Sequence, residues 1–268
     1  MTLPTTEASQ PLDPSAPNKR QRPVIAIDGP AGAGKSTLAA HLARRFGFLN
    51  LETGAMYRAL ALKAIENDFG FDEEAPLLDL AVSTRITLEP QLEGNRVLLD
   101  NTDVSRRIRE QDVTSAASQI SIHPLLRAWM VKQQRALGEA GGVVMEGRDI
   151  GTAVFPDAEV KIFLDAAPEV RGNRRYRQAT PESMAAAAQP TIRQNAARQA
   201  PDLLTPEKQR EAEEAILREL KERDYRDRHR AESPLQPAPD AVILDSTAMT
   251  LEEVLAQAEE IVRTHLPA

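Results

Sequence analysis

The segment Gly29–Ser36, GPAGAGKS, constrains the fold of this chain more than any other feature. It matches the phosphate-binding loop pattern of glycine, four residues, glycine, lysine and serine. The apolar run PVIAID, residues 23–28, precedes the loop, and STLAAHLARRFG follows it from Ser36 with apolar residues at helical spacing. Because this loop requires a strand before it and a helix after it, we predict a phosphate-binding loop within an α/β fold.

The residue types in the loop indicate how it would hold a nucleoside triphosphate. Glycines allow backbone N–H groups to approach phosphates closely, and the following helix adds its N-terminal amides and the positive end of its dipole. We expect Lys35 to contact the outer phosphates and the Ser36 hydroxyl to coordinate Mg²⁺. The predicted ATP-binding residues are Gly29, Pro30, Ala31, Gly32, Ala33, Gly34, Lys35, Ser36 and Thr37.

Three further apolar runs are candidate strands, separated by stretches with helical periodicity. They are VVME at 143–146, VKIFLDA at 160–166 and AVILDS at 241–246. Strands that alternate with helices are typical of a mainly parallel sheet that helices cover on both faces. The segments TRITLEP and GNRVLLDNTDVS instead predict short strands near a hairpin, so we expect a small β-containing insert at about 80–110.

Two segments have compositions that argue against a packed core. Residues 1–22 are rich in Pro, Ser and Thr, and we expect them to form a disordered tail ahead of a domain over 23–268. Residues 179–206 combine Ala and Gln with four prolines, which interrupt any continuous helix. We interpret this segment as an insertion in a mobile lid that spans about 171–230.

Composition excludes several functional classes. The chain has 33 Lys and Arg against 40 Asp and Glu, and the formal charge of −7 argues against a general binder of nucleic acids or anionic membranes. The chain has no cysteine, which excludes disulfides and thiol catalysis. Its apolar runs are short and its start lacks the pattern of an export signal, so we expect a soluble, cytoplasmic protein. We also expect it to act as a monomer.

The loop alone is compatible with several phosphate-handling functions. A GTPase is disfavoured, because the one Asn-Lys pair, Asn18-Lys19, is followed by Arg-Gln and not by the pattern that reads guanine. A kinase needs a second anion pocket, and the segment ERDYRDRHR, 222–230, is a candidate for it. The same segment places opposite charges four residues apart, which is typical of a solvated helix face, so both interpretations stay open.

Five motifs in order indicate a family. IDGPAGAGKSTLA, ETGAMYRALAL, SAASQIS, EGRDIGTAVFPDAEVKIFLDA and ERDYRDRHR closely resemble the bacterial cytidylate kinases, a group of nucleoside monophosphate kinases. The resemblance implies a core with a parallel sheet, an acceptor region enlarged by a β-containing insert, and a lid. It also implies Mg²⁺ with ATP as the phosphoryl donor and CMP or dCMP as the acceptor, in pyrimidine nucleotide metabolism. A broader pyrimidine kinase that also accepts UMP, and a phosphate-loop module that only hydrolyses or senses ATP, remain as alternatives.

The resemblance also implies roles for individual residues. Arg58 would bind the acceptor phosphate, Arg148 and Arg223 would act with Lys35 on the phosphates during transfer, and Asp227 would bind the ribose 2′-hydroxyl. Asp149 would accept a hydrogen bond from the cytosine amino group. The expected acceptor-binding residues are Thr53, Tyr57, Arg58, Ser118, Arg127, Arg148, Asp149, Arg223, Asp227 and Arg230. On the same helix, we expect Asp224 and Arg228 to face solvent.

Structural roles compete with some of these assignments. Thr53 could be the N-cap of a helix, Asp149 and Glu146 could cap a turn, and Tyr57 could belong to the core. Glu146 also departs from the pattern, since the bacterial family usually has Asp there, which leaves the role of this carboxylate open.

Overall fold

Five parallel strands form the central sheet of the protein. The computed structural model describes residues 20–91, 94–179 and 206–266. With strands and helices numbered in chain order, the central strands are β1 Val24–Asp28, β2 Leu49–Glu52, β6 Val143–Glu146, β7 Val160–Asp165 and β8 Val242–Asp245. Their order across the sheet is β2-β6-β1-β7-β8, and every neighbouring pair is parallel. The phosphate-binding loop therefore follows the middle strand.

Alternate residues of β1 belong to two separate cores. Val24 and Ala26 pack in one apolar cluster with Leu51, whereas Ile25 and Ile27 pack in a second cluster with Leu38. Successive side chains of a strand point to opposite faces of the sheet, so each face is covered by its own layer. The predicted α/β fold with helices on both faces of a mainly parallel sheet is confirmed.

Helices pack on both faces of the sheet. The helices are α1 Lys35–Phe46, α2 Thr53–Glu66, α3 Glu74–Ser83, α4 Gln111–Ile120, α5 Pro124–Gly138, α6 Pro168–Ala179, α7 Pro206–His229 and α8 Leu251–His265. The described chain also contains a 3₁₀ turn, Arg107–Arg109, and a π-helical turn, Ile150–Val154. Apolar residues of α1 and α8 lie in the second cluster, and those of α2, α4 and α5 in the first. None of the helices in these ranges combines the length and the apolar character that a bilayer crossing needs.

A small antiparallel sheet lies within the predicted insert. Its strands are β3 Ile86–Gln91, β4 Gly94–Leu99 and β5 Thr102–Asp103. The buried Asn95 side chain joins this sheet to β2, because its Nδ2 donates to Asn50 O at 2.7 Å and its Oδ1 accepts from Glu52 N at 2.8 Å. The insert is thereby attached to the strand that leads into α2.

The two segments predicted to lack a packed core lie mostly outside the described residues, which omit 1–19 and 180–205. Two residues of the predicted tail are nevertheless described and have partners. Arg20 Nη1 donates to Asp157 Oδ2 at 3.0 Å, and Arg22 Nη2 donates to Gly47 O at 2.7 Å. The residues just before β1 therefore pack against the folded body.

Candidate active site

A cleft of about 820 Å³ runs along the carboxyl ends of the central strands. The phosphate-binding loop after β1 lines its middle, with residues that follow β2 and β6 on one side and residues that follow β8 on the other. Helix α7 contributes Arg223, Asp227 and Arg230 to the same wall. Ligands of open α/β sheets bind outside the carboxyl ends of the strands, and the cleft occupies that position.

The phosphate-binding loop is closely packed against β7. Gly29 has a φ of 146°, and a Cβ at this position would lie 2.0 Å from Leu164 O, so only glycine fits. Gly34, at the N-cap of α1, has a φ of 104° in the left-handed region. The loop thus turns directly from the sheet into the N-terminus of α1, where backbone amides can meet an anion.

Lys35 lies buried beside this loop. Its Nζ donates to Pro30 O at 2.7 Å. Burial, followed by the positive charge of Arg148, lowers the pKa of Lys35 from 10.5 to about 7. A phosphate group in this part of the cleft would favour the charged form of the lysine, because an opposite charge nearby raises its pKa.

Two buried carboxylates lie behind the loop. Burial, followed by the negative charge of Glu52, raises the pKa of Glu146 from 4.5 to about 7, while the Ser36 side chain forms a hydrogen bond with it. Glu146 Oε1 is buried without a hydrogen-bond partner among the described residues. Asp28 accepts from Ile150 N at 2.8 Å and Gly151 N at 2.7 Å, and burial raises its pKa to about 6. Asp28 holds the turn after β6 in place, whereas Glu146 has an oxygen available for a ligand.

Arginines outnumber carboxylates in the middle of the cleft. Arg148 Nε donates to Asp227 Oδ2 at 2.9 Å, and Arg230 Nη1 lies 3.6 Å from Asp227 Oδ1. Burial alone would raise the pKa of Asp227, but the arginines around it outweigh that effect and lower it. Burial, followed by the charge of Arg148, lowers the pKa of Arg223 to about 9, and Arg223 Nε is buried without a hydrogen-bond partner among the described residues. This excess of positive charge suits an anionic ligand.

An ion pair between Arg127 and Asp149 is buried in the wall of the cleft. The two residues are 3% and 5% exposed, and Arg127 Nη2 donates to Asp149 Oδ2. Arg127 also donates to Ser121 O at 3.1 Å, and its Cζ lies 5.6 Å from the centre of the Tyr57 ring. The predicted base-binding residue Ser118 accepts from Arg226 Nε at 3.3 Å.

Tyr57 combines the two roles between which the sequence could not decide. Its ring packs against the first apolar cluster, and the residue also lines the cleft. Burial raises the pKa of Tyr57 to about 12, and its hydroxyl has no hydrogen-bond partner in the described structure.

The capping roles considered for Thr53 and Asp149 are wrong. Thr53 is the first residue of α2, and its hydroxyl donates to Glu146 O at 2.7 Å, while Glu52 holds the N-cap position. Asp149 precedes the π-helical turn but makes no side-chain capping bond to it. Each of the two side chains therefore forms its hydrogen bond with a residue of another element and does not cap a helix.

Arg58, expected at the acceptor phosphate, pairs with a residue that the sequence analysis missed. Its Nη2 donates to Glu52 Oε1 at 2.5 Å, and Arg109 Nη2 lies 3.5 Å from Glu52 Oε2. Glu52 ends β2, and a charged residue at a strand end was the only signal that could have indicated it. All the predicted acceptor residues other than Ser118 line the cleft, together with Ala117 and Ser121 from the same region.

The charged segment of α7 is a solvated face only in part, because Glu222, Arg228 and His229 are exposed whereas Asp224 and Asp227 are buried. Asp224, predicted to face solvent, is 8% exposed and accepts from Arg171 Nη2 at 2.5 Å, so that prediction is wrong. Arg228 does remain partly exposed, with Asp165 Oδ2 at 3.9 Å. Asp224 and Asp227 find partners on other elements, Arg171 and Arg148, because α7 packs between α6 and the cleft.

The cleft also extends past the phosphate-binding loop to residues that the sequence analysis did not single out. Met249, Leu251 and Val254 line this end, on the segment that follows β8. Arg174 of α6 reaches the same place and donates to Ser246 O at 3.0 Å. Their position after the carboxyl end of a parallel strand is the signal that could have found them.

Comparison with known proteins gives one consistent family. The family model described as cytidylate kinase matches residues 25–205 and 186–264. A cytidylate kinase from Aeromonas hydrophila is 43% identical over 233 residues, which cover 87% of this chain and 90% of the relative. One from Geobacillus thermodenitrificans is 44% identical over 246 residues, covering 92% and 99%, and one from Solibacter usitatus is 43% identical over 251 residues, covering 94% and 97%. The chain belongs to the cytidylate kinase family.

Proposed function

We propose that the protein transfers the γ-phosphoryl group of ATP to CMP or dCMP, giving ADP and CDP or dCDP, in pyrimidine nucleotide metabolism. One observation carries this proposal. A single cleft joins a phosphate-binding loop to a buried Arg127–Asp149 pair. Arg148 precedes Asp149 in the chain, lines the same cleft and pairs with Asp227 of α7.

The loop end of the cleft suits the donor. Amides of the loop and of the first turn of α1 would surround the β- and γ-phosphates, with Lys35 neutralising their charge. The apolar side chains of Met249, Leu251 and Val254 then offer a surface for the nucleoside.

The residues near Ser36 fit a divalent cation. Mg²⁺ prefers oxygen ligands, and the Ser36 hydroxyl lies beside the buried Glu146, whose Oε1 has no described partner. Within the described ranges no group of three or more His, Asp or Glu could hold a metal by itself, so the phosphates of ATP would supply the other ligands. When bound, the ion would neutralise charge that develops on the transferred phosphoryl group.

The opposite end suits a cytosine nucleotide. Asp149 is a hydrogen-bond acceptor, which matches the exocyclic amino group of cytosine and repels the O4 acceptor of uracil. Arg58, Arg148 and Arg223 would bind the acceptor phosphate, and Asp227 would bind the ribose 2′-hydroxyl. The sites in this proposal are those that the family resemblance implies.

The chemistry needs no general base. The acceptor phosphate is already an ionised nucleophile at pH 7, so catalysis consists of alignment, charge neutralisation and exclusion of water. The arginines of the cleft provide fixed positive charge at the place where the two nucleotides would meet. We also propose that the enzyme acts as a monomer in the cytoplasm, which light scattering and cell fractionation would test.

The proposed function is tested by measuring ADP formation in a coupled assay. ATP is supplied alone or with CMP, dCMP, UMP, AMP or GMP. CMP and dCMP should accelerate ADP formation far above the rate with ATP alone, and UMP should do so less. If CMP gave no acceleration, the proposal would fail and a module that only hydrolyses or senses ATP would be favoured.

A further inference from the structure

Arg171 has the largest side chain among the fully buried residues of the described chain. It lies on α6, is 2% exposed and is absent from the wall of the cleft. Its guanidinium makes hydrogen bonds in three directions. Nε donates to Ala166 O at 2.8 Å, Nη1 to Ala31 O at 2.9 Å and Nη2 to Asp224 Oδ2 at 2.5 Å. One side chain therefore joins the end of β7, the phosphate-binding loop and α7.

The contact with Ala31 orients the loop. In a trans peptide the C=O and the following N–H point in opposite directions. By holding Ala31 O towards α6, Arg171 turns the N–H of Gly32 away from α6. Gly32 also packs on this arginine, since a Cβ there would lie 3.3 Å from Arg171 Cβ. The arginine thus helps to fix the direction of an amide in the loop that would receive phosphate.

The contact with Asp224 fixes α7. Asp224 lies next to Arg223 and one turn before Asp227, which are both in the wall of the cleft. The Oδ1 atom of Asp224 is buried and has no partner among the described residues. The described hydrogen bond of the Asp224 side chain is therefore the one that Arg171 donates to Oδ2. A buried ion pair with few alternative partners strongly favours one geometry, because breaking it leaves two uncompensated charges.

We propose that Arg171 and Asp224 are a positioning pair that couples triphosphate binding at the loop to the placement of the acceptor-binding residues on α7. Any shift of the loop that breaks the bond to Ala31 O releases a guanidinium that also holds α7. A donor that orders the loop therefore also orders α7, and the acceptor binds more tightly. This inference rests on the proposed function, since it assumes that triphosphate and CMP occupy the two ends of the cleft.

The test is the effect of a donor analogue on CMP affinity. Calorimetry would give the Kd of CMP with Mg²⁺ alone and with saturating non-hydrolysable AMP-PNP and Mg²⁺. The wild type should bind CMP about fivefold or more tightly with the analogue, the lower end of typical coupling. The coupling ratio is the Kd of CMP without the analogue divided by its Kd with the analogue. Asp224→Asn keeps the shape of the side chain and should bring this ratio close to 1. By linkage, the corresponding ratio of the Kd values of AMP-PNP without and with CMP should fall by the same factor in the variant.

A second ion pair between the same two helices is the matched control. Lys221 Nζ lies 3.1 Å from Glu169 Oε1, and both side chains are more than half exposed. Glu169→Gln should leave the ratio at the wild-type value. Arg171→Lys, which keeps the charge but loses the branched set of donors, should lower the ratio as Asp224→Asn does.

Each outcome decides the proposal. A ratio of 1 in the wild type, or an unchanged ratio in Asp224→Asn with a lowered Tm, would make the pair a purely structural contact and overturn the coupling. An equal fall in Glu169→Gln would assign the effect to helix packing in general. If the wild type phosphorylates CMP but the variants keep the coupling ratio of the wild type, only this inference fails. If the wild type neither binds nor phosphorylates CMP, the proposed function is refuted as well.

Discussion

Replacing Asp149 by Asn tests the assignment of base recognition most directly. The hydrogen bond described for the Asp149 side chain is the one that Arg127 donates to Oδ2. In the proposed complex Oδ1 would accept from the cytosine amino group. An amide at this position can present its NH₂ group instead. This donor cannot accept from the amino group of cytosine, but it can donate to O4 of uracil.

The expected change follows from the burial of the site. A hydrogen bond to a charged group is worth about 1.5–3 kcal/mol, and each 1.4 kcal/mol is about tenfold. The ratio of kcat/KM for CMP to that for UMP should therefore fall by about 10- to 150-fold. Arg127 keeps the carbonyl of Ser121 at 3.1 Å and the ring of Tyr57, so the variant should fold, but with a loss of stability of about 3–5 kcal/mol because a buried charge loses its counter-ion.

The assay is steady-state kinetics with both nucleotides at saturating ATP. Asp112→Asn is the matched control, because Asp112 also pairs with an arginine, Arg107, but in an exposed pair whose two residues do not line the cleft. Its CMP to UMP ratio should equal that of the wild type. A folded Asp149→Asn variant with an unchanged ratio would refute the role of this carboxylate in reading the base.

Three further variants test other parts of the cleft. Asp227→Ala should penalise CMP about 10- to 150-fold more than dCMP, the worth of one hydrogen bond from the 2′-hydroxyl to a charged carboxylate, and equal losses of kcat/KM would contradict that contact. Lys35→Ala should lower kcat about 10²- to 10³-fold, as expected for loss of a donor that stabilises developing charge, and a loss below tenfold would remove Lys35 from the transition state. Because the pKa of Glu146 rises from 4.5 to about 7 on folding, its contribution to stability is present below pH 4.5 and is lost as pH rises through 7, by about 3 kcal/mol. Glu146→Gln should thus raise Tm relative to the wild type more at pH 8 than at pH 5, and an equal change at both pH values would refute the shifted pKa.

The central strands that could be predicted are those with a continuous apolar run, including β8 at the edge of the sheet. Runs such as VVME and VKIFLDA are almost continuously apolar because helices cover them on both sides. Strand β2 was missed because LNLE is short, contains two polar residues and lies at the edge of the sheet. The phosphate-binding loop was predictable because its chemistry requires particular residues at fixed spacing.

The roles of charged residues were harder to predict than the strands. Asp224 was assigned to solvent because spacing along one helix considers only partners on that helix, whereas its partner Arg171 is 53 residues away. Arg171 itself cannot be told from a surface arginine by sequence, since its burial depends on how α6 packs against α7. Glu52 and Asn95 likewise act through contacts between elements that are distant along the chain.

Because the central strands all run in one direction, the residues needed for activity and many of those needed only for stability lie at opposite edges of the sheet. Residues of the candidate site that follow strands all follow carboxyl ends, whereas Leu49 begins β2 at the opposite edge and is 53% exposed. Stabilising substitutions often reduce activity when they stiffen or relieve strain in a catalytic site. At the amino edge of the sheet Leu49 does not line the cleft, so a polar residue at this exposed position should make the enzyme more soluble without a loss of catalytic rate.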